Sequence, residues 1–311
     1  MEALAVTVPV TDLRKEPVKA SGGYAHDDLQ ESQLLLNESL VLVGEKEGWF
    51  RVEAVEQPKY EKGRGWQGYP GWVQKRHVGQ AAQSGDLTSV VQTQSGELLD
   101  RPSLEGRRLI SLPLATRVRV VEKEAHFLKV RLATGTSGWI AGECVATNDR
   151  SSADPEDEDM EKWARLFRGT PYLWGGRSIF LPRLARTATG VDCSGLTQLV
   201  YRLKGRDIPR NAHDQWRAAG AVPPGGLEKG DLIFLSKADA LETITHVMLS
   251  LGGERFIEAA ETGLPVRESS FAEKLGVDMA GLWKEGFIAA GRKVYFGRPN
   301  PEGQFRAMSN E

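Results

Sequence analysis

The sequence predicts two small all-β barrels followed by one α+β domain in which helices pack on an antiparallel sheet. The first half carries an internal repeat of short alternating strands and Gly-Trp pairs, which is typical of small barrels. In the second half, segments whose apolar residues recur at the spacing of a helix face come before several strand-like runs. This order is typical of α+β folds. A chain of 311 residues has room for about two or three domains. We therefore predict barrels at residues 1–83 and 84–148, the α+β domain at residues 149–297 and a tail at residues 298–311.

The repeat in the first half consists of short motifs that recur in the same order. Gly71-Trp72-Val73 has a counterpart in Gly138-Trp139-Ile140, and residues 49–52 (Trp-Phe-Arg-Val) have one in residues 127–130 (Phe-Leu-Lys-Val). Each motif is weak evidence alone, but their ordered repetition favours two copies of one barrel. The copies differ by an insertion at residues 57–68. We interpret it as a longer hairpin loop, and loops on rigid barrels also commonly line binding sites.

Composition and charge are those of an ordinary globular protein. Hydrophobic residues make up 40% of the chain, charged residues make up 26%, and the formal net charge is -2, so we expect neither nucleic acid nor a membrane as a partner. No apolar run approaches the roughly 20 residues that span a bilayer, and the N-terminus lacks the basic start of a signal peptide. The two cysteines, Cys144 and Cys193, form neither a disulfide framework nor a Cys-x-x-Cys pair. Together these features predict a cytoplasmic protein without a metal or other cofactor.

One stretch of the second half, residues 190–201, places a cysteine at the start of a helix. The apolar residues that follow at the spacing of one helix face are Leu196, Leu199, Val200 and Leu203. Cys193 therefore lies at or near a helix N-terminus, where unpaired N–H groups and the helix dipole stabilise an anion. This position favours a thiolate with a lowered pKa, which is the nucleophilic form of cysteine. The alternative is a buried, unreactive cysteine.

A predicted hairpin adds an imidazole and a carboxylate to this thiol. His246 lies on its first strand, and Glu258, 12 residues later, lies on its second. A turn centred on Gly252 places the two side chains opposite each other on one face, whereas a two-residue loop places them on opposite faces. On a shared face they complete, with Cys193, the nucleophile, base and orienting acceptor of acyl transfer. A carboxylate beside His246 is also expected to raise the pKa of the imidazole.

Five motifs of the second half recur in a known family. They are Pro171-Tyr-Leu-Trp-Gly-Gly176, Asp192-Cys-Ser-Gly-Leu196, Pro209-Arg-x-Ala-x-x-Gln215, Gly230-Asp-Leu-Ile-Phe234 and Thr245-His-Val247. In this order they resemble the NlpC-type, papain-like cell-wall cysteine peptidases over about residues 155–297. The repeated Gly-Trp strands resemble bacterial SH3-like domains. A peptidase preceded by two such domains is similar to the cytosolic γ-D-glutamyl-L-diamino acid endopeptidases that recycle the wall. This resemblance implies hydrolysis of the γ-D-Glu–diamino acid bond in peptidoglycan stem peptides with a free N-terminal L-Ala.

The resemblance also implies catalytic roles. Cys193 matches the nucleophile of the family and His246 matches its general base. Glu258 stands where the family has a third polar residue, commonly His. Tyr172 matches a tyrosine near the reacting carbonyl, although an aromatic core residue would give the same pattern.

Five further residues match substrate-binding positions of the family. Asp192 and Ser194, beside the cysteine, match residues that contact the substrate. Asn211 stands where the relatives use Asp to hold the substrate amine. Glu31 and Tyr69 match barrel residues that complete this amine pocket, with a solvated carboxylate and a barrel aromatic as the simpler interpretations.

Three other functions remain open on the sequence. A substituted third residue, Glu258, also fits a non-catalytic wall- or peptide-binding protein with a decayed site. A thiol acyltransferase on the same fold would use the same thiol and imidazole. A metal hydrolase is disfavoured because no His-Glu-x-x-His or similar ligand spacing occurs. The remaining histidines, all expected at the surface, are His26, His77, His126 and His213. The sequence does not select between diaminopimelate and lysine as the diamino acid.

Overall fold

The structure, a computed structural model, describes residues 3–82, 87–147, 157–179, 181, 187–223, 225–284 and 286–300. Its strands form three seven-stranded sheets, two in the first half of the chain and one in the second. This arrangement confirms the predicted fold class of two all-β domains followed by an α+β domain. The predicted boundaries near residues 83/84 and 148/149, and residues 301–311 of the predicted tail, lie outside the described residues, so these limits stay predictions. The last strand of the third domain ends at Pro299, two residues inside the predicted tail. No helix within the described ranges is long and apolar enough to cross a membrane.

The first sheet is built from the strands between residues 3 and 80. They are β1 (Ala3–Val6), β2 (Val10–Arg14), β3 (Gln30–Leu35), β4 (Ser39–Lys46), β5 (Trp49–Glu61), β6 (Gly65–Gln74) and β7 (Val78–Gln80). Their order across the sheet is β3-β2-β6-β5-β4-β1-β7, and neighbouring strands are antiparallel. A single 3₁₀ turn, Lys75–His77, precedes the last strand.

The second sheet repeats the first strand for strand. It contains β8 (Ser89–Val91), β9 (Ser95–Leu99), β10 (Arg108–Pro113), β11 (Arg117–Glu124), β12 (Phe127–Arg131), β13 (Ser137–Ala141) and β14 (Val145–Thr147). Their order is β10-β9-β13-β12-β11-β8-β14, which is the order of the first sheet with every number raised by seven. The 3₁₀ turn Gly142–Cys144 again precedes the last strand. The internal repeat predicted from the Gly-Trp motifs is therefore confirmed.

The glycine of each Gly-Trp pair lies where two strands approach closely. A Cβ on Gly71 would lie 2.6 Å from Cγ of Leu13, and a Cβ on Gly138 would lie 2.7 Å from Cγ of Leu98. Both leucines are fully buried in their domain cores. Glycine is needed at these positions because any side chain would displace the leucine that fills the core.

The insertion at residues 57–68 extends the β5–β6 hairpin, as predicted, and reaches the third domain. Strand pairing continues through it after a register shift that follows Ala54. The carbonyl oxygen of Pro58 accepts a hydrogen bond of 2.9 Å from the backbone N–H of Arg210. The guanidinium of Arg217 lies 4.5 Å from the centre of the Tyr60 ring. The insertion therefore fixes the first β domain against the region that carries the Pro-Arg motif.

The third domain combines five helices with an antiparallel sheet. The helices are α1 (Asp157–Arg165), α2 (Cys193–Leu203), α3 (Ala212–Ala218), α4 (Phe271–Leu275) and α5 (Met279–Lys284). The strands are β15 (Ala219–Ala221), β16 (Leu232–Lys237), β17 (Ala240–Gly252), β18 (Arg255–Glu258), β19 (Arg267–Ser270), β20 (Ile288–Ala289) and β21 (Arg292–Pro299). The sheet order is β15-β21-β16-β17-β18-β19, and β20 pairs with β21.

Alternate residues of β17 and β18 belong to two different cores. Val247, Leu249 and Ile257 pack with α1 and α2, as predicted for the core side of the hairpin. Met248 and Phe256 pack with residues of α4 and α5. The central sheet is thus buried on both faces, which explains why its strands read as continuous apolar runs.

The three domains meet at one buried arginine of α2, Arg202. Its Nε donates to the carbonyl oxygen of Ala115 in the second β domain at 2.8 Å. Its guanidinium also pairs with Glu56 of the first β domain at 2.6 Å and with Asp207 of its own domain at 3.3 Å. Buried charges are tolerated only when paired in this way. The first β domain is consequently held in a defined position beside α2.

Candidate active site

Cys193 is the first residue of α2, as predicted, and its side chain is nearly buried. Asp192 is the N-cap residue, and its Oδ1 accepts a hydrogen bond of 2.7 Å from the backbone N–H of Gly195. A Cβ on Gly195 would collide with the carbonyl oxygen of Gly176, so glycine is needed there. The Cys193 sulfur accepts a hydrogen bond from the backbone N–H of Val247. The thiol therefore lies against β17, one residue from His246.

The expected lowering of the Cys193 pKa is wrong. Burial, and then the neighbouring Asp192 carboxylate, raise the pKa of the thiol to about 12. These effects outweigh the hydrogen bonds from Val247 and Ser194 and the charge of Arg210, which lower it. The helix N-terminus alone favours an anion, but here the sulfur is removed from water and lies beside a fixed negative charge. The resting group is a thiol, which needs a base to become a nucleophile.

His246 and Glu258 are joined by a hydrogen bond of 2.8 Å between Nε2 and Oε2. They share one face of the sheet, as predicted, but the expected direct opposition is wrong. Continued by one residue, the β17–β18 register places Glu258 opposite Met248, so the two side chains are diagonal neighbours. The cause is a bulge between Ser250 and Gly252, which shifts the register near the turn.

Glu258 is fully buried and, besides the imidazole, contacts two cations. Lys274 Nζ lies 2.6 Å from Oε2, and Arg267 Nη2 lies 3.2 Å from Oε1. Burial alone raises a carboxyl pKa, but the hydrogen bonds from His246 and Lys274 outweigh it and lower the pKa of Glu258 to about 2. An ionised carboxylate can only accept hydrogen bonds, so Nε2 of His246 carries the proton. The lone pair is then on Nδ1, which is the tautomer that a general base needs.

The pKa of His246 lies below its usual value, so the expected rise is wrong. Burial is the largest cause, and the charges of Lys274 and Arg292 add to it. Together they outweigh Glu258, which does raise the imidazole pKa as its proximity predicts. At neutral pH the imidazole is therefore uncharged and able to accept a proton.

Tyr172 lies beside the turn that precedes Cys193. Its backbone bridges to Val191, and its ring packs, half-buried, against the core of the third domain. Burial, followed by the charges of Asp192 and Cys193, raises the pKa of the phenol, so the hydroxyl keeps its proton. Within the described residues this hydroxyl has no hydrogen-bond partner. It is a neutral donor available near the sulfur.

Asp192 and Ser194, which flank the cysteine, are bonded to Arg210. Arg210 Nη2 lies 2.7 Å from Asp192 Oδ2, and Nη1 lies 2.9 Å from Ser194 Oγ. Arg210 Nε also donates to Ser32 Oγ of the first β domain at 2.8 Å. All of these side chains are buried. Arg210 therefore fixes the start of α2 and ties it to the first β domain.

Glu31, Tyr69 and Asn211 come together across the contact between the first and third domains. The Tyr69 hydroxyl donates to Glu31 Oε2 at 2.9 Å and lies 3.3 Å from Asn211 Oδ1. Asn211 is the N-cap residue of α3, but its side chain makes no capping bond. Instead its Nδ2 donates to Asp214 Oδ2 at 3.1 Å. Among the described residues neither Glu31 nor Asp214 forms an ion pair, so their two carboxyl groups make this cluster acidic. One cation lies beside it, since Lys59 Nζ is 4.5 Å from the centre of the Tyr69 ring.

Sequence analysis missed four charged residues of the site. Lys274 and Arg267 reach Glu258 from α4 and β19, which the sequence does not place beside the hairpin. Arg292 donates from Nη2 to Thr245 Oγ1 at 2.9 Å, directly before His246. Asp214 is three residues beyond Asn211, a spacing that would have indicated one helix face.

Two of the four histidines expected at the surface are not exposed. His77 is buried, with Nδ1 2.7 Å from Thr11 Oγ1. His213 is half-buried, and its Nδ1 accepts from the backbone N–H of Ile244 at 3.2 Å. Both hydrogen bonds satisfy polar groups that barrel and helix packing removes from water. His26 and His126 are exposed, as predicted.

Comparison with known proteins agrees with this geometry. Residues 169–279 match the model of the NlpC/P60 family, a range that includes Cys193, His246 and Glu258. These residues form an NlpC/P60 domain. The chain is a cysteine peptidase.

Relatives match well beyond the NlpC/P60 domain. A γ-D-glutamyl-L-lysine dipeptidyl-peptidase of Bacillus subtilis is 28% identical over 81% of this chain and 80% of its own length. A protein of the same name from Bacillus cereus is 29% identical over 74% of this chain and 67% of its own. The crystal structure of an NlpC/P60 family protein from Bacillus cereus has a TM-score of 0.76, with 22% identity, and covers 96% of this chain and 100% of that one. This structural likeness shows that the three-domain fold is shared.

Proposed function

We propose that the chain hydrolyses the bond between γ-D-Glu and the diamino acid in peptidoglycan stem peptides that carry a free N-terminal L-Ala. The observation that carries this proposal is the hydrogen-bonded cluster of Glu31, Tyr69, Asn211 and Asp214, which contains two carboxyl groups. Two relatives are named γ-D-glutamyl-L-lysine dipeptidyl-peptidases, and an enzyme of that type releases a dipeptide from a free amino terminus. A pocket that binds an ammonium fits such a substrate.

The cluster and the residue before the thiol are linked through one buried ion pair. Arg210 directly precedes Asn211 and is bonded to Asp192, which directly precedes Cys193. An L-Ala amine held by Glu31, Asn211 and Asp214 would therefore lie close to the sulfur, as the first residue of a dipeptide must. A hydrogen bond to a charged group contributes about 1.5–3 kcal/mol, enough to select a free amine over an acylated one.

The first chemical step makes the acyl-enzyme. The neutral Cys193 thiol gives its proton to Nδ1 of His246 as the sulfur attacks the γ-carbonyl carbon of D-Glu. The carbonyl oxygen becomes an oxyanion, for which the backbone N–H of Cys193 at the start of α2 and the Tyr172 hydroxyl are the available donors. The imidazolium then gives the same proton to the leaving amine of the diamino acid, and the C–N bond breaks.

The second step releases the dipeptide. A water molecule gives a proton to Nδ1 of His246 and attacks the thioester carbon. The second tetrahedral intermediate uses the same oxyanion donors, and its collapse returns the proton to the sulfur. Glu258 keeps Nε2 protonated throughout, so that Nδ1 is the atom that exchanges protons in both steps.

An enzyme that selects a free amine would act on stem peptides only after they have been released from the wall. Stem peptides in intact wall are amide-linked through L-Ala, and the acidic pocket would leave that acylated nitrogen without a charge to bind. We therefore propose that the chain acts on released peptides, in the cytoplasm, rather than on the wall itself. In this proposal the two SH3-like domains position the pocket and do not anchor the enzyme to wall polymers.

Mass spectrometry of synthetic stem peptides tests the proposal. We expect the full chain to convert L-Ala-γ-D-Glu-L-Lys, or its diaminopimelate counterpart, into L-Ala-γ-D-Glu and the free diamino acid. Cys193→Ala should give no product while it keeps the circular dichroism spectrum of the wild type. A folded Cys193→Ala protein with wild-type turnover, or products cut at another bond, would overturn the proposed function. Transfer of the dipeptide to an added amine in place of water would indicate an acyltransferase.

A further inference from the structure

The carboxylate beside the catalytic imidazole is part of a cluster that also contains two cations. Glu258 is fully buried and accepts hydrogen bonds from His246 Nε2 at 2.8 Å, from Lys274 Nζ at 2.6 Å and from Arg267 Nη2 at 3.2 Å. His246 and Lys274 bind the same oxygen, Oε2. The imidazole and the ammonium therefore share one acceptor atom, and each limits where the other can lie.

Local structure fixes both cations in place. Arg267 is the register partner of Glu258 in the β18–β19 pair, so its position follows from strand pairing. Lys274 lies on α4, which begins with a capping box between Ser270 and Glu273. That helix is held by Phe271, which is fully buried against the sheet. Lys274 is thus a fixed group rather than a mobile surface lysine.

The charges around His246 explain why a balancing cation is needed. Three charged groups act directly on the pKa of His246: Glu258 from β18, Lys274 from α4 and Arg292 from β21. Two further groups lie nearby. Cys193 of α2 lies against β17, the strand that carries His246, and Arg267 acts on His246 through its contact with Glu258. A buried carboxylate alone would stabilise the imidazolium, which cannot take a proton from a thiol. Lys274 and Arg267 oppose this effect, because their positive charges offset the carboxylate.

We propose that Lys274 is a positioning residue for the hydrolysis: it holds Glu258 on Nε2 of His246 and, together with burial, keeps the imidazole uncharged. This inference rests on the proposed function. It identifies Glu258 as a functional third residue, whose negative charge is offset by Lys274 and Arg267. Its presence in place of the usual histidine is then no evidence that the site has lost its activity. The pair of Glu258 and Lys274 then does what a single neutral side chain would do, namely orient the imidazole without protonating it.

Nuclear magnetic resonance of labelled histidine tests the proposal without any substrate. In the full chain, Lys274→Met should raise the pKa of His246 by about one unit, since one positive charge beside the imidazole is removed. Lys274→Gln, which keeps a hydrogen-bond donor, should give a similar rise, and Lys274→Arg should keep the wild-type value. The matched control is Lys129→Met, which removes one lysine charge from the second β domain, where Lys129 pairs with Glu122 on the surface. It should leave His246 unchanged.

The pH dependence of kcat/KM on L-Ala-γ-D-Glu-L-Lys gives the second readout. The reaction needs the uncharged imidazole, so the acidic limb should move to higher pH in Lys274→Met by the same amount as the His246 pKa. If the His246 pKa is unchanged in folded Lys274→Met and Lys274→Gln, the proposal is wrong. If the pKa rises but no variant, wild type included, cleaves the peptide, the proposed function fails while the charge balance stands. If the His246 pKa is raised in Lys274→Met but the pH dependence of kcat/KM stays that of the wild type, Lys274 is not a positioning residue.

Discussion

Burial decides the protonation of the two reacting side chains. It raises the pKa of Cys193 and lowers the pKa of His246, so both groups are uncharged at neutral pH. Proton transfer from sulfur to Nδ1 must then accompany attack, and the energy of ionisation is drawn from substrate binding and from the oxyanion donors. The same environment protects the thiol from unwanted reactions, because a buried thiol is a weak nucleophile.

The role of Glu258 as an ionised acceptor leads to a prediction on pH dependence. Glu258→Gln removes the charge that favours the imidazolium and leaves Lys274 and Arg267 beside the site, so the pKa of His246 should fall further. The acidic limb of kcat/KM should therefore move to lower pH, opposite to its shift in Lys274→Met. The amide also holds the imidazole less firmly, and kcat should fall by up to about a hundredfold. A pH profile from the same peptide assay measures both effects, and a limb that stays in place or moves upward would show that Glu258 does not act on His246.

The residues that the sequence predicted are those with local signals. Cys193 is marked by the helix that follows it, and His246 and Glu258 by their hairpin. Lys274 could not be found in this way, because α4 approaches the hairpin only through packing of Phe271 in the sheet core. The predicted directions of the pKa shifts of Cys193 and His246 were wrong for a similar reason. A helix N-terminus or a neighbouring carboxylate can be recognised in a sequence, whereas the burial of a thiol or an imidazole cannot.

The Gly-Trp element is the most informative repeat in the chain. It predicts two copies of one domain, and the structure explains the glycine by a close approach of two strands in each copy. The extended β5–β6 hairpin is also predicted, from the length of the insertion. Its contact with Arg210 is not, because nothing in either segment marks a complementary partner.

A glycine substitution tests the packing of this element. Gly71→Ala places a Cβ 2.6 Å from the buried Cγ of Leu13, so we expect the free energy of unfolding to fall by about 1–3 kcal/mol. Gly44→Ala is the control in the same sheet, because the nearest atom to its Cβ would be 3.9 Å away. Urea titration followed by circular dichroism measures both variants. Equal stability of Gly71→Ala and Gly44→Ala would show that Leu13 can move without cost.

At the scale of the whole molecule, the active site depends on how the first β domain is held. Glu31 and Tyr69 reach Asn211 only because buried groups fix this domain against α2. Arg202 is the centre of that contact, since it pairs with Glu56, binds Ala115 and reaches Asp207. The sequence predicted three domains, but not this junction, since its charges come from distant positions in the chain.

Arg202→Met tests the junction. The substitution removes one of the two cations that Glu56 and Asp207 share, since Arg117 also pairs with Glu56 at 3.3 Å and with Asp207 at 2.6 Å. The free energy of unfolding should therefore fall by about 1–3 kcal/mol. Cleavage of the free stem peptide should fall with a raised KM, because the proposed amine site is shared between two domains. Lys129→Met, at an exposed ion pair, is the control and should change stability by less than about 1 kcal/mol. Wild-type stability and KM in Arg202→Met would show that the domains are held by other contacts.

In the proposed function, one site shared by the first β domain and the NlpC/P60 domain selects a free amino terminus. The ratio of kcat/KM for L-Ala-γ-D-Glu-L-Lys to that for its N-acetyl form tests this most directly, measured for the wild type and for Glu31→Gln. We predict a preference for the free peptide of at least about tenfold in the wild type, since a charged hydrogen bond contributes about 1.5–3 kcal/mol, and a smaller preference in Glu31→Gln. Equal values of kcat/KM for the two peptides in the wild type would show that the enzyme does not select a free amino terminus.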